Sequence, residues 1–174
     1  MAEFVIRDAV VGDADALGRV HVRAWQAAYR GVMPDEYLDG LSAVDRAEMW
    51  RGRIARTDLT PLLVAVVDDE PVGFATYGAE QPSDDATGSG QLYAMNVDPD
   101  HWGGGIGRAL LRRATDALAA AGYRDAVLWV VPENARARAL YESEGWVDDH
   151  ALATEEILGV TVRDMRLRKS LAAG

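Results

Sequence analysis

Two spacings of apolar residues alternate along the chain. Phe4-Val5-Ile6-Arg7 opens it as a short strand. Beyond Gly12-Asp13, the residues Leu17, Val20, Ala24 and Ala28 fall three and four apart, the period of an amphipathic helix, and Asp13 is placed to cap it. His21, Trp25 and Tyr29 keep the same period and form a second stripe on that helix. Packing is the ordinary role for Trp25, and a structural role is assigned to His21. Gly31-Val32-Met33-Pro34 stops the helix, Asp35 to Leu41 reads as a short second helix, and Ser42 with Asp45 begins a third that runs to about Arg56. The three pieces together suggest a hinged helical flap.

The period then shortens. Leu62-Leu63-Val64-Ala65-Val66-Val67 is an unbroken apolar run of strand length, and a turn at Asp68-Asp69-Glu70-Pro71 returns it as Val72-Gly73-Phe74-Ala75-Thr76-Tyr77 in an antiparallel hairpin. Gln81 to Gly90 has the composition of a loop and is the one segment expected to be mobile. A strand through Tyr93-Ala94-Met95-Asn96-Val97 follows, then a glycine-rich turn and a helix with Leu110, Leu111, Ala114 and Leu118 on one face, ended by Gly122. Ala126 to Val131 is a strand, and Pro132-Glu133-Asn134 opens a helix that carries Ala137, Leu140 and Tyr141 on one side and stops at Gly145. Trp146-Val147 and Val160 to Leu167 supply the last strands. This order predicts a mixed α/β layer with a βαβ crossover at its centre. Residues 1–168 read as a single domain and 169–174 as a polar tail.

Composition narrows the function. A chain of 174 residues, 49% hydrophobic, suits one domain with a sizeable core. Met1 to Arg7 has neither a basic leader nor a long apolar run, and no apolar stretch approaches the ~18 residues of a membrane helix, so a cytoplasmic protein without a membrane partner is expected. The absence of cysteine removes disulfides, zinc–thiolate sites and a cysteinyl acyl-enzyme, and no metal is called for. A formal net charge of −10 argues against nucleic acid, whose phosphates demand a basic footprint. The charge is uneven, however. Residues 101–140 carry six arginines against Asp116, Asp125 and Glu133, while Asp35, Glu36, Asp39, Glu80, Asp84 and Asp85 lie in the flap and the loop.

The basic segment contains the most informative stretch, Trp102-Gly103-Gly104-Gly105-Ile106-Gly107-Arg108. A helix start presents unpaired N–H groups and the positive end of the macrodipole, and glycines let an anion approach them. A turn that merely lets strand and helix pack closely is the alternative, but four glycines in five positions exceed that need. Neither the dinucleotide spacing G-x-G-x-x-G/A nor a Walker Lys-Ser/Thr is present. The segment resembles the pyrophosphate loop Q/R-x-x-G-x-G/A of the GNAT superfamily of acyl-CoA-dependent N-acetyltransferases, with Trp102 at the first position. Asn134-Ala135-Arg136-Ala137-Arg138-Ala139-Leu140-Tyr141 through Gly145-Trp146 is similar to the N-x-x-A-x-x-L-Y-x-x-x-G-F segment of the same family, with Trp146 in place of Phe.

The resemblance implies a mostly antiparallel GNAT-like sheet whose central strands splay around the pantetheine arm, with acetyl-CoA as co-substrate. It implies that Met95, Asn96 and Val97 offer backbone groups to the cofactor, that Trp102, Gly103, Gly104, Gly105, Ile106, Gly107 and Arg108 hold its pyrophosphate, and that Asn134 holds the arm or the helix start. It places Tyr141 beside the thioester sulfur as proton donor to the leaving thiolate. Some members carry a Glu at the start of the central strand as general base; Gln91 stands near that place here, and Glu80, with Asp84 close by, becomes the candidate base. The expected reaction is direct transfer of an acetyl group to a primary amine of a small cationic acceptor. Trp25, Tyr29 and Tyr37 are assigned to the acceptor, and the acidic residues of flap and loop to the mouth that draws it in. A non-catalytic acyl-CoA-binding regulatory module and an acetyltransferase of protein N-termini or lysines are the alternatives, and a homodimer is compatible with the chain.

Overall fold

A computed structural model describes residues 3–56 and 60–171 of the chain. Seven strands form one sheet: β1 (Val5–Asp8), β2 (Leu62–Val67), β3 (Glu70–Ala79), β4 (Gly90–Val97), β5 (Asp125–Val130), β6 (Val147–Ile157) and β7 (Val160–Ser170). Their spatial order is β1-β2-β3-β4-β5-β7-β6, and every neighbouring pair is antiparallel except β4–β5. The helices are α1 (Ala14–Tyr29), α2 (Asp35–Asp39), α3 (Ala43–Ile54), α4 (Ile106–Ala120) and α5 (Ala135–Ser143). The expected mixed sheet and central crossover, β4–α4–β5, are both present.

Strand β2 is apolar at every position because both faces of the sheet are covered. Leu62 and Val64 join Phe74, Leu17, Val20 and Trp50 under α1 and α3, while Leu63 and Ala65 join Leu110, Leu111 and Leu118 under α4. The β2–β3 turn consists of Asp68 and Asp69 alone, both at positive φ, as a two-residue hairpin turn requires. Pro71 lies just inside β3, beside the register shift at Ala65/Val66, a place where its missing N–H disturbs the ladder little.

Several local expectations need correction. Asp13 does not cap α1 with its side chain. Its carboxylate accepts from the Val10 amide at 2.8 Å and from the Arg7 guanidinium at 2.8 and 3.0 Å. Ser42 does cap α3, accepting from the Asp45 amide at 3.1 Å. The helical segment is no hinged flap: Leu38 and Trp50 are buried, and α3 seats against α1 at Gly18, where an added Cβ would strike the Ala43 carbonyl oxygen and come within 2.8 Å of the Ala47 nitrogen. β6 runs ten residues beyond the Val147 at which it was expected to end, up to Ile157. β7 continues through Lys169 and Ser170, where a tail was expected, and residues 172–174 of that tail lie outside the described residues, as do Met1 and Ala2. Among the described residues no helix is long and apolar enough to cross a membrane.

Candidate active site

The site forms where β4 and β5 part. Parallel pairing joins only Gly90, Gln91 and Leu92 to Ala126, Val127 and Leu128. Immediately beyond, the register of β4 on β3 jumps, Thr76 facing Ala94 and Tyr77 facing Leu92, so that Tyr93 is an extra residue. A bulge adds twist and re-aims the strand that carries it. From Tyr93 onward β4 keeps its ladder with β3 and turns away from β5. The gap is a cavity of about 400 Å³, walled by Leu92 to Val97 on one side and Leu128 to Val131 on the other. Met95, Asn96 and Val97 therefore border it along a backbone edge that no strand covers.

At one end stands the glycine loop. Gly103 and Gly105 have φ of 79° and 84°, the left-handed region that favours glycine, and no atom lies within 4 Å of where their Cβ would be. Gly105 is the N-cap of α4, which has neither a side-chain cap nor an acidic residue in its first turn. Its leading N–H groups are thus left for an anion. Trp102, Gly103, Gly105, Ile106, Gly107 and Arg108 line the cavity, whereas Gly104 shapes the turn without reaching it. The Trp102 indole donates to the Val97 carbonyl at 2.8 Å and so ties the loop to the end of β4. The guanidinium of Arg136 lies 3.9 Å from the centre of the Trp102 ring. Arg136 also lines the cavity and has no carboxylate partner among the described residues. Arg108 is committed to Glu144 at 2.8 Å. Arg136, unnamed from the sequence, is therefore the free cation at this end; its membership in the six-arginine segment was the available signal. These features fit a CoA pyrophosphate: open glycines, an uncapped helix start and an unneutralised guanidinium.

The other end is aromatic. Trp25 and Tyr29 of α1 line it, their rings edge to face at 5.2 Å. Asn134 caps α5 by accepting from the Ala137 amide at 3.3 Å, and its side chain lies near the Tyr29 phenol. Tyr141, 7% exposed, lines the same cavity with its ring against Trp146. Burial, reinforced by neighbouring Tyr29, pushes the Tyr141 phenol above its ordinary range, which keeps its proton in place. Tyr37 does not line the cavity; it packs against the cluster of Met33, Leu38 and Val162.

Glu80, the candidate base, is occupied elsewhere. It does not line the cavity, and its carboxylate accepts from the Thr87 amide at 2.7 Å, the Ser89 amide at 3.1 Å and Arg166 at 3.3 Å. Burial alone would raise its pKa, but these donors hold it below the usual carboxylate range, the wrong direction for a base. Gln91 is buried and accepts from the Gln81 amide at 2.9 Å. The acidic mouth also changes membership: Asp35 and Asp39 pair with Arg30, and none of the six acidic residues assigned to it lines the cavity. The carboxylate that does is Asp164 of β7.

Comparison with known proteins agrees with this geometry. The PaiA N-acetyltransferase of Thermoplasma acidophilum, solved with coenzyme A, shares the fold at a TM-score of 0.74 and 21% identity, over 97% of this chain and 99% of that one. YncA of Salmonella typhimurium, a putative acetyltransferase solved with acetyl-CoA, shares it at 0.72 and 21%, over 98% and 95%. The uncharacterized N-acetyltransferase YuaI of Bacillus subtilis (strain 168) is 28% identical over 170 residues, 93% of this chain and 90% of that protein. A mycothiol acetyltransferase of Beutenbergia cavernae is 42% identical over 96 residues, 55% of this chain, and the match spans only 32% of that longer protein. The model of the acetyltransferase (GNAT) family matches residues 22–146, from α1 through the glycine loop to the end of the Asn134–Trp146 motif. By its splayed strands, its glycine loop and this match, the chain belongs to the GNAT family of acetyltransferases.

Proposed function

We propose that this acetyltransferase moves the acetyl group of acetyl-CoA directly onto the primary amine of a small cationic acceptor. The observation that carries the proposal is the single cavity lined at once by the glycine loop, by Tyr141 and by Trp25, Tyr29 and Asp164. Acetyl-CoA supplies an activated acyl group with a thiolate as leaving group. The chain supplies the rest. The first turn of α4 with Gly103, Gly105 and Arg136 takes the pyrophosphate, and the uncovered edge of β4 at Met95, Asn96 and Val97 takes the pantetheine amides. Tyr141 holds a proton for the sulfur, in a buried setting where a hydrogen bond is stronger than in water. The likeness to a mycothiol acetyltransferase accords with a small-molecule acceptor.

The test is thiol release from acetyl-CoA across a panel of amines, amino acids and peptides, with products identified by mass. Because the protein has no cysteine, thiol-reactive dyes read CoA alone. Tyr141→Phe is expected to lower kcat by about 10²–10⁴-fold, the range usual for a general acid, while the melting shift induced by CoA is kept. Binding of CoA without acetylation of any amine overturns the proposal in favour of a non-catalytic module, and acetylation confined to peptides overturns the small acceptor.

A further inference from the structure

Asp164 lines the cavity, yet among the described residues it has no hydrogen-bond or ion-pair partner. Other carboxylates withdrawn from solvent are engaged: Asp13 with Arg7, Glu80 and Asp149 with Arg166, Glu144 with Arg108 and Arg112. Its place is fixed by the ladder, facing Ala153 of β6 and adjoining Met165, which pairs with Val130 of β5. From β6 the charge of Glu155 acts on it, and from α1 the phenol of Tyr29, which lies near Asn134. Tyr141 of α5 stands beyond Tyr29, and β5 presents no ionisable side chain to the cavity. An unneutralised carboxylate beside two aromatic rings suits an organic cation, which gains both ion pairing and cation–π attraction there.

We propose that Asp164 receives the acceptor: its carboxylate pairs with the incoming ammonium between Trp25 and Tyr29 and takes one proton from it. Ammonium and carboxylate become amine and carboxylic acid, and the nitrogen gains the lone pair that the transfer needs. The side chain is only partly buried, so the acid returns its proton to water. Burial, and after it the repulsion from Glu155, hold this carboxyl above the ordinary carboxylate range and so closer to an amine. The inference rests on the amine-acetyltransferase reading, and its test separates the two.

The first measurement needs no turnover. With CoA bound, phenethylamine is expected to raise the melting temperature of the wild type more than its neutral counterpart 2-phenylethanol does, and Asp164→Asn is expected to abolish that difference while keeping the shift due to CoA itself. The second uses the best amine of the acceptor panel. Asp164→Asn should lower kcat/KM by about 100-fold or more and remove the acidic limb of its pH profile, and Asp164→Glu should restore the limb. For a weakly basic hydrazine, already neutral at pH 7, the loss should stay below tenfold. An ammonium-specific shift that is missing from the wild type, or that survives in Asp164→Asn, overturns the assignment, as does an unchanged pH profile. A wild type that shows the ammonium-specific shift yet acetylates nothing sinks the enzyme proposal and leaves Asp164 as a cation site.

Discussion

His21 is a buried imidazole with no hydrogen-bond partner for either ring nitrogen among the described residues. Trp25, Trp50 and Phe74 surround it at centroid distances of 5.3, 5.9 and 6.1 Å. Burial, aided by the charge of Arg46, lowers its pKa from 6.5 to about 4. The unfolded chain therefore binds a proton that the folded chain refuses. Stability from this residue is complete above pH 6.5 and is lost as pH falls towards 4, by at most about 3 kcal/mol. His21→Phe is expected to match the wild type near pH 7 and to be more stable than it at pH 4.5, as measured by urea unfolding at both pH values. A constant difference between the two would mean that His21 titrates normally. The spacing of His21, Trp25 and Tyr29 made this stripe legible in the sequence. The cap at Asp13 was misread because its competitors, the Arg7 guanidinium and the Val10 amide, are not helix groups.

Among elements, the loop from Gln81 to Ser89 departs most from expectation. Its composition is that of a mobile segment, but β7 fastens it: Arg166 donates to the Asp85 carbonyl at 2.7 Å, and Arg168 donates to Thr87 and Ser89 at 3.0 and 2.9 Å. Asp149 of β6 closes the network, accepting from Arg166 at 2.8 Å and Arg168 at 3.1 Å. These partners are some eighty residues apart in the chain, which is why Glu80 looked free. Glu80→Ala is expected to destabilise the fold by about 3 kcal/mol, since it leaves the Thr87 and Ser89 amides without their acceptor and takes one of two carboxylates from the buried Arg166 guanidinium, while kcat/KM of the folded enzyme changes by less than about threefold. Calorimetry and steady-state kinetics on one preparation decide it, and a hundredfold loss of kcat without loss of stability would return Glu80 to the chemistry. Strand β6 escaped the sequence for a related reason. All but its last residue are exposed or half-buried, so its alternation leaves no apolar trace. The helices and buried strands, whose faces are apolar at regular intervals, were legible to within a few residues. Asp164 went unnoticed between Val162 and Arg166, although a carboxylate on the inward alternation of a core strand was a usable signal.

At the scale of the whole molecule, the sheet is two ladders sharing one short seam. β1 to β4 pair in sequence order, β6 and β7 form a hairpin on β5, and the halves meet in three residue pairs. The cavity opens at the end of that seam, so cofactor affinity needs both halves in place. This has a kinetic consequence. The β2–β3 and β6–β7 hairpins close two-residue turns, whereas β4 and β5 must close a connection that contains the whole of α4, and β1 and β2 one that contains α1 to α3; pairing over longer separations comes at greater entropic cost. The seam therefore sets after the hairpins on either side of it, and a ligand that requires both halves meets only a largely finished protein. Saturating CoA should leave the refolding rate in dilute urea unchanged and slow unfolding by about 100-fold at a concentration 100 times its Kd. Stopped-flow fluorescence on both limbs measures this, and faster refolding in the presence of CoA would place the seam before the barrier. A splay that serves binding in the native state thus also makes the cofactor a brake on unfolding with no part in folding.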